Sequence, residues 1–188
     1  MGKIKLPEKA KLFIGIIAVN DSIIFKVKEV LEKQWGKVDE QSDLFPFDLS
    51  DYYKDEMGER LLKKFYSFKM LINREDIVDI KIRTNRIEEE IKADDKNCGR
   101  DINLDPGYIT LSNVTLATTK DFRHRIYLGK GIYLENTLYY DGKKKTYMEW
   151  EEWTYPDYRM QEYKDFFNKI RQTYHRQLKY GEDLERDF

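Results

Sequence analysis

The chain has 188 residues, enough for one well-buried domain and too few for two comfortable ones. Hydrophobic residues make up 40% of it and aromatic residues 14%, with 14 Tyr, 10 Phe and 3 Trp, which excludes a disordered chain. Lys+Arg (34) and Asp+Glu (35) cancel to a net charge of −1, so no global field draws the protein to nucleic acid or to an anionic membrane.

Leu12 to Val19 (LFIGIIAV) reads as a central strand, apolar on both faces and far too short to span a membrane. The basic start before it leads into no small-residue cleavage site, so a cytoplasmic protein is expected. Asn20 or Asp21 can cap the helix that follows, in which Ile23, Ile24, Val27, Val30, Leu31 and Trp35 recur at helical spacing until Gly36 ends the run. KVDEQSDLFPFDLSDYYKDEMG reads as an extended segment and a turn region, with Pro46 arguing against a central strand. Arg60 to Leu71 (RLLKKFYSFKML) fits a helix or a strand, and Phe65-Tyr66-Ser67-Phe68 tips it towards a strand. Asn73 caps a second helix with Ile77, Ile80, Thr84, Ile87 and Ile91 as its inner stripe.

KADDKNCGRD is a polar loop and the expected flexible point; Cys98 within it is the only cysteine, which excludes an intrachain disulfide. From Ile102 to Trp150 the pattern is an antiparallel meander, turning at Asp105-Pro106-Gly107, Ser112-Asn113, Lys120-Asp121, Gly129-Lys130-Gly131 and Asp141-Gly142. YPDYRMQEYKDFFNKIRQTYHRQLKY closes the chain as a long helix, with Pro156 near its first turn and Tyr163, Phe166, Phe167, Ile170, Tyr174 and Leu178 buried. This order predicts a single α+β domain over residues 1–188, with about three helices packed on a largely antiparallel sheet. A ferredoxin-like βαββαβ unit is the expectation for the first half and a β-meander for the second.

In HRIYLGKGIYLENTLYY, a loop from Gly129 to Gly131 sets Leu128 opposite Ile132 and Ile126 opposite Leu134 on a buried apolar face. The same register puts Tyr127 across from Tyr133, Arg125 across from Glu135, and His124 opposite Asn136. The Arg–Glu pair is either a cross-strand stabiliser contributing about 0.2–1 kcal/mol or the floor of a cleft walled by the two tyrosines. His124 is either a hydrogen-bonded structural histidine or a proton carrier.

In GRDINLDPGYITL, Asn103 and Asp105 share one side of their strand and Ile102 and Leu104 the other. Asp105 either accepts backbone N–H bonds in its own turn or projects, with Asn103 and with Arg100 nearby, into the cleft that holds Glu135. In that second case Asp105 and Glu135 could hold Mg²⁺ or divide acid and base roles. ATTKDFRH gathers Thr118, Thr119, Lys120 and His124 at one turn, which suits a phosphate or carboxylate unless it is an ordinary polar turn. Asp48, Asp51, Asp55 and Glu56 form either a lid, a second metal cluster or a solvated turn, and Asp157 is placed to cap the last helix. GxxxxGK(S/T), GxGxxG after a strand, HExxH and GxSxG are all absent, so the usual NTPase, dinucleotide, zinc-protease and serine-hydrolase readings lack support.

KLFIGIIA, LFPFD, TNRIE, INLDPGY, LATTKDFRHRIYLGKGIYLENTL and WTYPDYR resemble an uncharacterised bacterial family, catalogued as domain of unknown function number 4416, over nearly the whole chain. The resemblance implies common ancestry and a single-domain layout, and no reaction. The family's recognisable signatures fall on Asn103, Asp105, Gly107, Lys120, His124, Arg125 and Glu135.

Two functions fit these residues. In the first, an intracellular protein binds a small anionic ligand of phosphate or nucleotide type in a polar cleft. Lys120 and Arg125 hold the anion, Asp105 and Glu135 bind metal or act as acid and base, and His124 carries protons. Arg100, Asn103, Tyr127 and Tyr133 complete the binding set, and hydrolysis or phosphoryl transfer is the matching reaction class. In the second, a non-catalytic module presents Tyr139, Tyr140, Tyr147, Trp150 and Trp153, beside Lys143-Lys144-Lys145, to a protein or an RNA.

Overall fold

The first strand, β1 (Ala10–Ala18), is buried along its whole length because both faces of its sheet are covered. The structure, a computed structural model, describes residues 2–48, 53–91 and 100–181. Asp51, Cys98 and most of the polar loop expected after residue 91 lie outside the described residues. On one face Leu12, Ile14 and Ile16 pack beneath α1 (Asp21–Trp35) and α3 (Ile77–Ile91). On the other, Phe13 meets Phe166, Phe167 and Ile170 of α4 (Gln161–Tyr180). A strand buried on both sides shows no polar alternation, which is why LFIGIIAV reads as one apolar run.

The remaining strands are β2 (Val38–Gln41), β3 (Phe45–Phe47), β4 (Leu61–Ile72), β5 (Ile102–Ile109), β6 (Asn113–Thr118), β7 (Ile126–Gly129), β8 (Ile132–Asp141) and β9 (Thr146–Glu149). Among the described residues the sheet has nine strands in the order β2-β4-β1-β5-β6-β8-β7, with β3 also on β4 and β9 also on β8. Every pairing is antiparallel. The result is a single α+β domain with a large open sheet, three long helices and the short α2 (Lys54–Met57). No helix among the described residues is long and apolar enough to cross a membrane.

Local chemistry sets most element ends. The Asn20 side chain accepts from the Ile23 N–H at 3.0 Å and caps α1, and Gly36, at φ +81°, ends it. Asn73 and Asp76 form a reciprocal capping box on the 3₁₀ turn that leads into α3. The ambiguous segment is a strand, Leu61–Ile72, as its aromatic run favours.

Four expectations are corrected. Asp105-Pro106-Gly107 is no turn, because β5 runs straight through it, with Pro106 paired to Ile14 and Gly107 to Phe13. The backbone N–H and C=O of Leu104 point away from β1, so those of Pro106, two residues on, do too. The missing N–H of Pro106 therefore falls where β5 has not yet met β6, whose pairing starts at Gly107 with Leu116. Gly107 is required by packing: a Cβ there would lie 2.0 Å from the Thr115 carbonyl oxygen and 2.6 Å from the Phe13 ring.

The β7–β8 hairpin turns on Lys130 and Gly131, with Leu128 as an extra residue, so Gly129 rather than Leu128 opposes Ile132. Ile126, still opposite Leu134, and Leu128 both sit exposed instead of in a buried apolar face, because β7 is an edge strand. The last helix starts at Gln161, since Met160 adopts an extended ψ of 141° and separates it from a 3₁₀ turn at Asp157–Arg159. Asp157 does not cap it, because its carboxylate is drawn inward to Lys63.

Candidate functional site

β5 and β6 diverge from Gly107 towards Ile102, and α3 fills the opening. Lys81 donates to the Leu104 carbonyl at 2.8 Å, and Glu88 accepts from the Leu104 N–H at 2.6 Å. These two side chains stand in for the missing strand partner. Both lie on the inner stripe of α3, at helical spacing from Ile77, Thr84 and Ile91. Burial pushes the Glu88 carboxyl above its usual range, against the pull of Lys81 and the Leu104 N–H.

Two cavities meet at this split. An inner one of about 350 Å³ lies on the α4 side, lined by Ile17, Lys63, Arg125, Glu135, Asp157 and Tyr158 among others. An outer one of about 530 Å³ takes in Lys81, Asn85, Glu88, Arg100, Asn103 and Thr119. Tyr53, Asp105, Thr118 and Lys120 line both. The side of β5 that carries Asn103 and Asp105 thus opens onto the joined space, as strand alternation requires.

Glu135 reaches the inner cavity because of a bulge. Val114 pairs with Leu138 but Thr115 pairs with Asn136, so Thr137 is the extra residue and Glu135 joins Leu138 on the α4 face. Its side chain is 1% exposed. Arg125 Nε donates to Glu135 Oε2 at 2.9 Å, and Thr137 donates to Oε1 at 3.3 Å. The Arg125 fork also donates to the Lys120 carbonyl at 3.0 Å and to the Tyr155 hydroxyl oxygen at 2.5 Å. Burial, reinforced by Glu135, pushes the Tyr155 phenol above its usual range.

The second buried pair is Lys63 with Asp157, 2.5 Å apart and 3% and 9% exposed. The Lys63 ammonium also faces Tyr158, Phe47, Phe65 and Tyr163, with ring centroids 4.6 to 5.6 Å away. Deep burial pushes the Tyr158 phenol well up, with Asp157 and Asp105 adding to the effect. The alternation Leu61, Lys63, Phe65 on β4 already puts this lysine on an apolar face, a signal open to sequence reasoning. Asp157, Tyr155 and Tyr158 carry no comparable local signal.

Of the residues expected to form a site, Asp105, Lys120, Arg125 and Glu135 all line the inner cavity, and Arg100 and Asn103 line the outer one. Arg100 bonds Glu88 at 2.9 Å and Glu56 at 3.0 Å, and its guanidinium stands over the Tyr53 ring. Tyr127 and Tyr133 do pair across the hairpin, 5.2 Å between centroids, but line neither cavity. His124 lines neither; its Nε2 lies 3.4 Å from Glu135 Oε2 and its ring stacks on Trp153. Neither of its ring nitrogens has a hydrogen-bond partner among the described residues.

Mg²⁺ at Asp105 and Glu135 would have to share Glu135 Oε2 with the Arg125 guanidinium. Among the described residues no group of three or more His, Cys, Asp or Glu side chains stands together as a metal site. Glu135 is already committed to a guanidinium and a hydroxyl, whereas hard cations take several oxygen ligands at once.

A family described as Domain of unknown function (DUF4416) matches residues 8–174. No curated protein matches the chain, and no solved structure does.

Proposed function

The chain belongs to the DUF4416 family, whose description carries no activity, and we propose from the geometry that its joined cavity binds a small anionic molecule. The observation that carries this reading is that Lys63, Arg125, Lys120, Lys81 and Arg100, from separate parts of the chain, line two adjoining cavities that share Asp105 and Lys120. Three of them are held in direction beforehand, Lys63 by Asp157, Arg125 by Glu135 and Lys81 by the Leu104 carbonyl. Such preorganisation cuts the entropy lost on binding. The lining holds five cations against six carboxylates, so it lacks the surplus of Lys and Arg that an extended polyanion needs, and a small anion must be met by individual cations. Where a proton must be taken from the bound molecule, Asp105 is the carboxylate placed for it, because Glu135 is committed to Arg125.

The interaction-module reading has less to support it. Tyr147 is buried and donates to the Thr110 carbonyl at 2.7 Å. Trp150 packs between Tyr139 and Trp153, and Tyr140 lies under the Arg171 guanidinium.

A thermal-shift screen against inorganic phosphate, sugar phosphates, nucleotides and small carboxylates tests the proposal. An anion at 100 times its dissociation constant adds about 2.7 kcal/mol, a rise of roughly 5–10 °C for a chain of this size. Lys120→Gln, at an exposed position, should remove that shift and leave the melting temperature of the free protein nearly unchanged. No shift anywhere in the panel would sink the reading.

A further inference from the structure

Only two of the charged side chains lining the cavities belong to both, and they have opposite signs: Asp105 and Lys120. The Asp105 side chain is 27% exposed, so a ligand in these cavities can reach it. One of its oxygens is committed and the other is not. Oδ2 accepts from Asn103 at 2.8 Å. Oδ1 accepts no hydrogen bond among the described residues, since the Lys81 ammonium is drawn to the Leu104 carbonyl at 2.8 Å and stays 4.0 Å away. By contrast Glu88, Glu135 and Asp157 each hold a cation within 2.9 Å.

An open carboxylate oxygen calls for a donor from the ligand. A hydroxyl would serve, but an ammonium brings positive charge as well as protons, and charge-assisted bonds are roughly twice as strong as neutral ones. The charge count favours the ammonium. With six carboxylates against five cations in the lining, an added anion is uncompensated unless it brings a positive charge of its own. The Lys81 charge does not forbid this, because Glu88 attracts it from two turns along α3.

We infer that the molecule bound here is an anion that also carries an ammonium group, of the amino-phosphate or amino-carboxylate class. Its ammonium donates to Asp105 Oδ1, and its anionic group is met by cations that include Lys120. The inference rests on the anion-binding reading above and adds the second, positive end that the ligand must carry.

Titration calorimetry near neutral pH compares phosphoethanolamine, hydroxyethyl phosphate and ethyl phosphate, and likewise L-glutamate, hydroxyglutarate and glutarate. Within each series the anion is constant and only the ammonium, hydroxyl or hydrogen differs. In at least one series the ammonium compound should bind about tenfold or more tightly than both others, the scale of one charge-assisted hydrogen bond. Asp105→Asn should remove that advantage, while ethyl phosphate or glutarate binds at least as tightly as before, because the lining has lost a negative charge. If the hydroxyl compounds match the ammonium compounds, or if the advantage survives Asp105→Asn, the ammonium site is wrong. If the ammonium compounds bind no better than ethyl phosphate and glutarate, and these do bind, the inference falls and the anion reading stands. If nothing in either series binds, the inference falls too, and the wider panel of anions decides the anion reading. The ranking in the parent protein decides the matter if Asp105→Asn does not fold.

Discussion

Glu135 and Arg125 illustrate how much a buried charge depends on its partner. Glu135 is 1% exposed and the Arg125 side chain 8%, and each neutralises the other at 2.9 Å. Removing one leaves an uncompensated charge in the interior, so Glu135→Ala and Arg125→Ala should each cost about 3–5 kcal/mol. Because both losses stem from one interaction, the double variant should cost less than their sum. Urea melts of the four proteins in this cycle measure the coupling, and strictly additive losses would show that the two side chains act independently. This pair was legible in the sequence, since hairpin register alone brings Arg125 to Glu135. Tyr158 and Lys63 were not read as site residues, because their partners come from distant segments that no local pattern indicates.

At the scale of elements, the split between β5 and β6 creates the site and depends on α3. Pro106 withholds a donor at the point of divergence, and Lys81 and Glu88 satisfy the strand edge left open at Leu104. Glu88→Ala should therefore destabilise the fold by about 1–3 kcal/mol through an unpaired Leu104 N–H. Hydrogen exchange should show that amide exchanging faster than in the parent; unchanged protection would mean that Glu88 does not hold the strand edge. The stripe read from the sequence, Ile77, Ile80, Thr84, Ile87 and Ile91, left out Lys81 and Glu88, because a charged residue beside an apolar stripe does not reveal which backbone it will reach. The bulges at Leu128 and Thr137 were equally hidden. Each inserts one residue against the neighbouring strand, and the one at Thr137 brings Glu135 onto the face of Leu138.

The whole molecule is a sheet covered on both faces, with many of its tyrosines inside. Burial pushes the Tyr66 phenol up to about 12 and raises Tyr147, Tyr158 and Tyr163 above their usual range. The fold thus favours neutral phenol relative to the unfolded chain, whose tyrosines titrate near about 10. That contribution is complete below about pH 10 and is lost as pH rises through the raised folded values. Alkaline unfolding should consequently coincide with most of the rise in tyrosinate absorbance. A completed absorbance titration with circular dichroism still unchanged would contradict the burial described here.

The sequence by itself determined the kinds of element and most of their ends, because capping, apolar periodicity and strand alternation act over a few residues. Asn20, Gly36, Asn73 and the stripe from Ile77 to Ile91 all behave as their neighbours in the chain dictate. Only the tertiary structure decided which charges meet. Lys63 finds Asp157 across 94 residues, and Arg100 finds Glu56 across 44. Local propensity is blind to such pairings, which follow from sheet order, bulges and the strong penalty on leaving a buried charge alone.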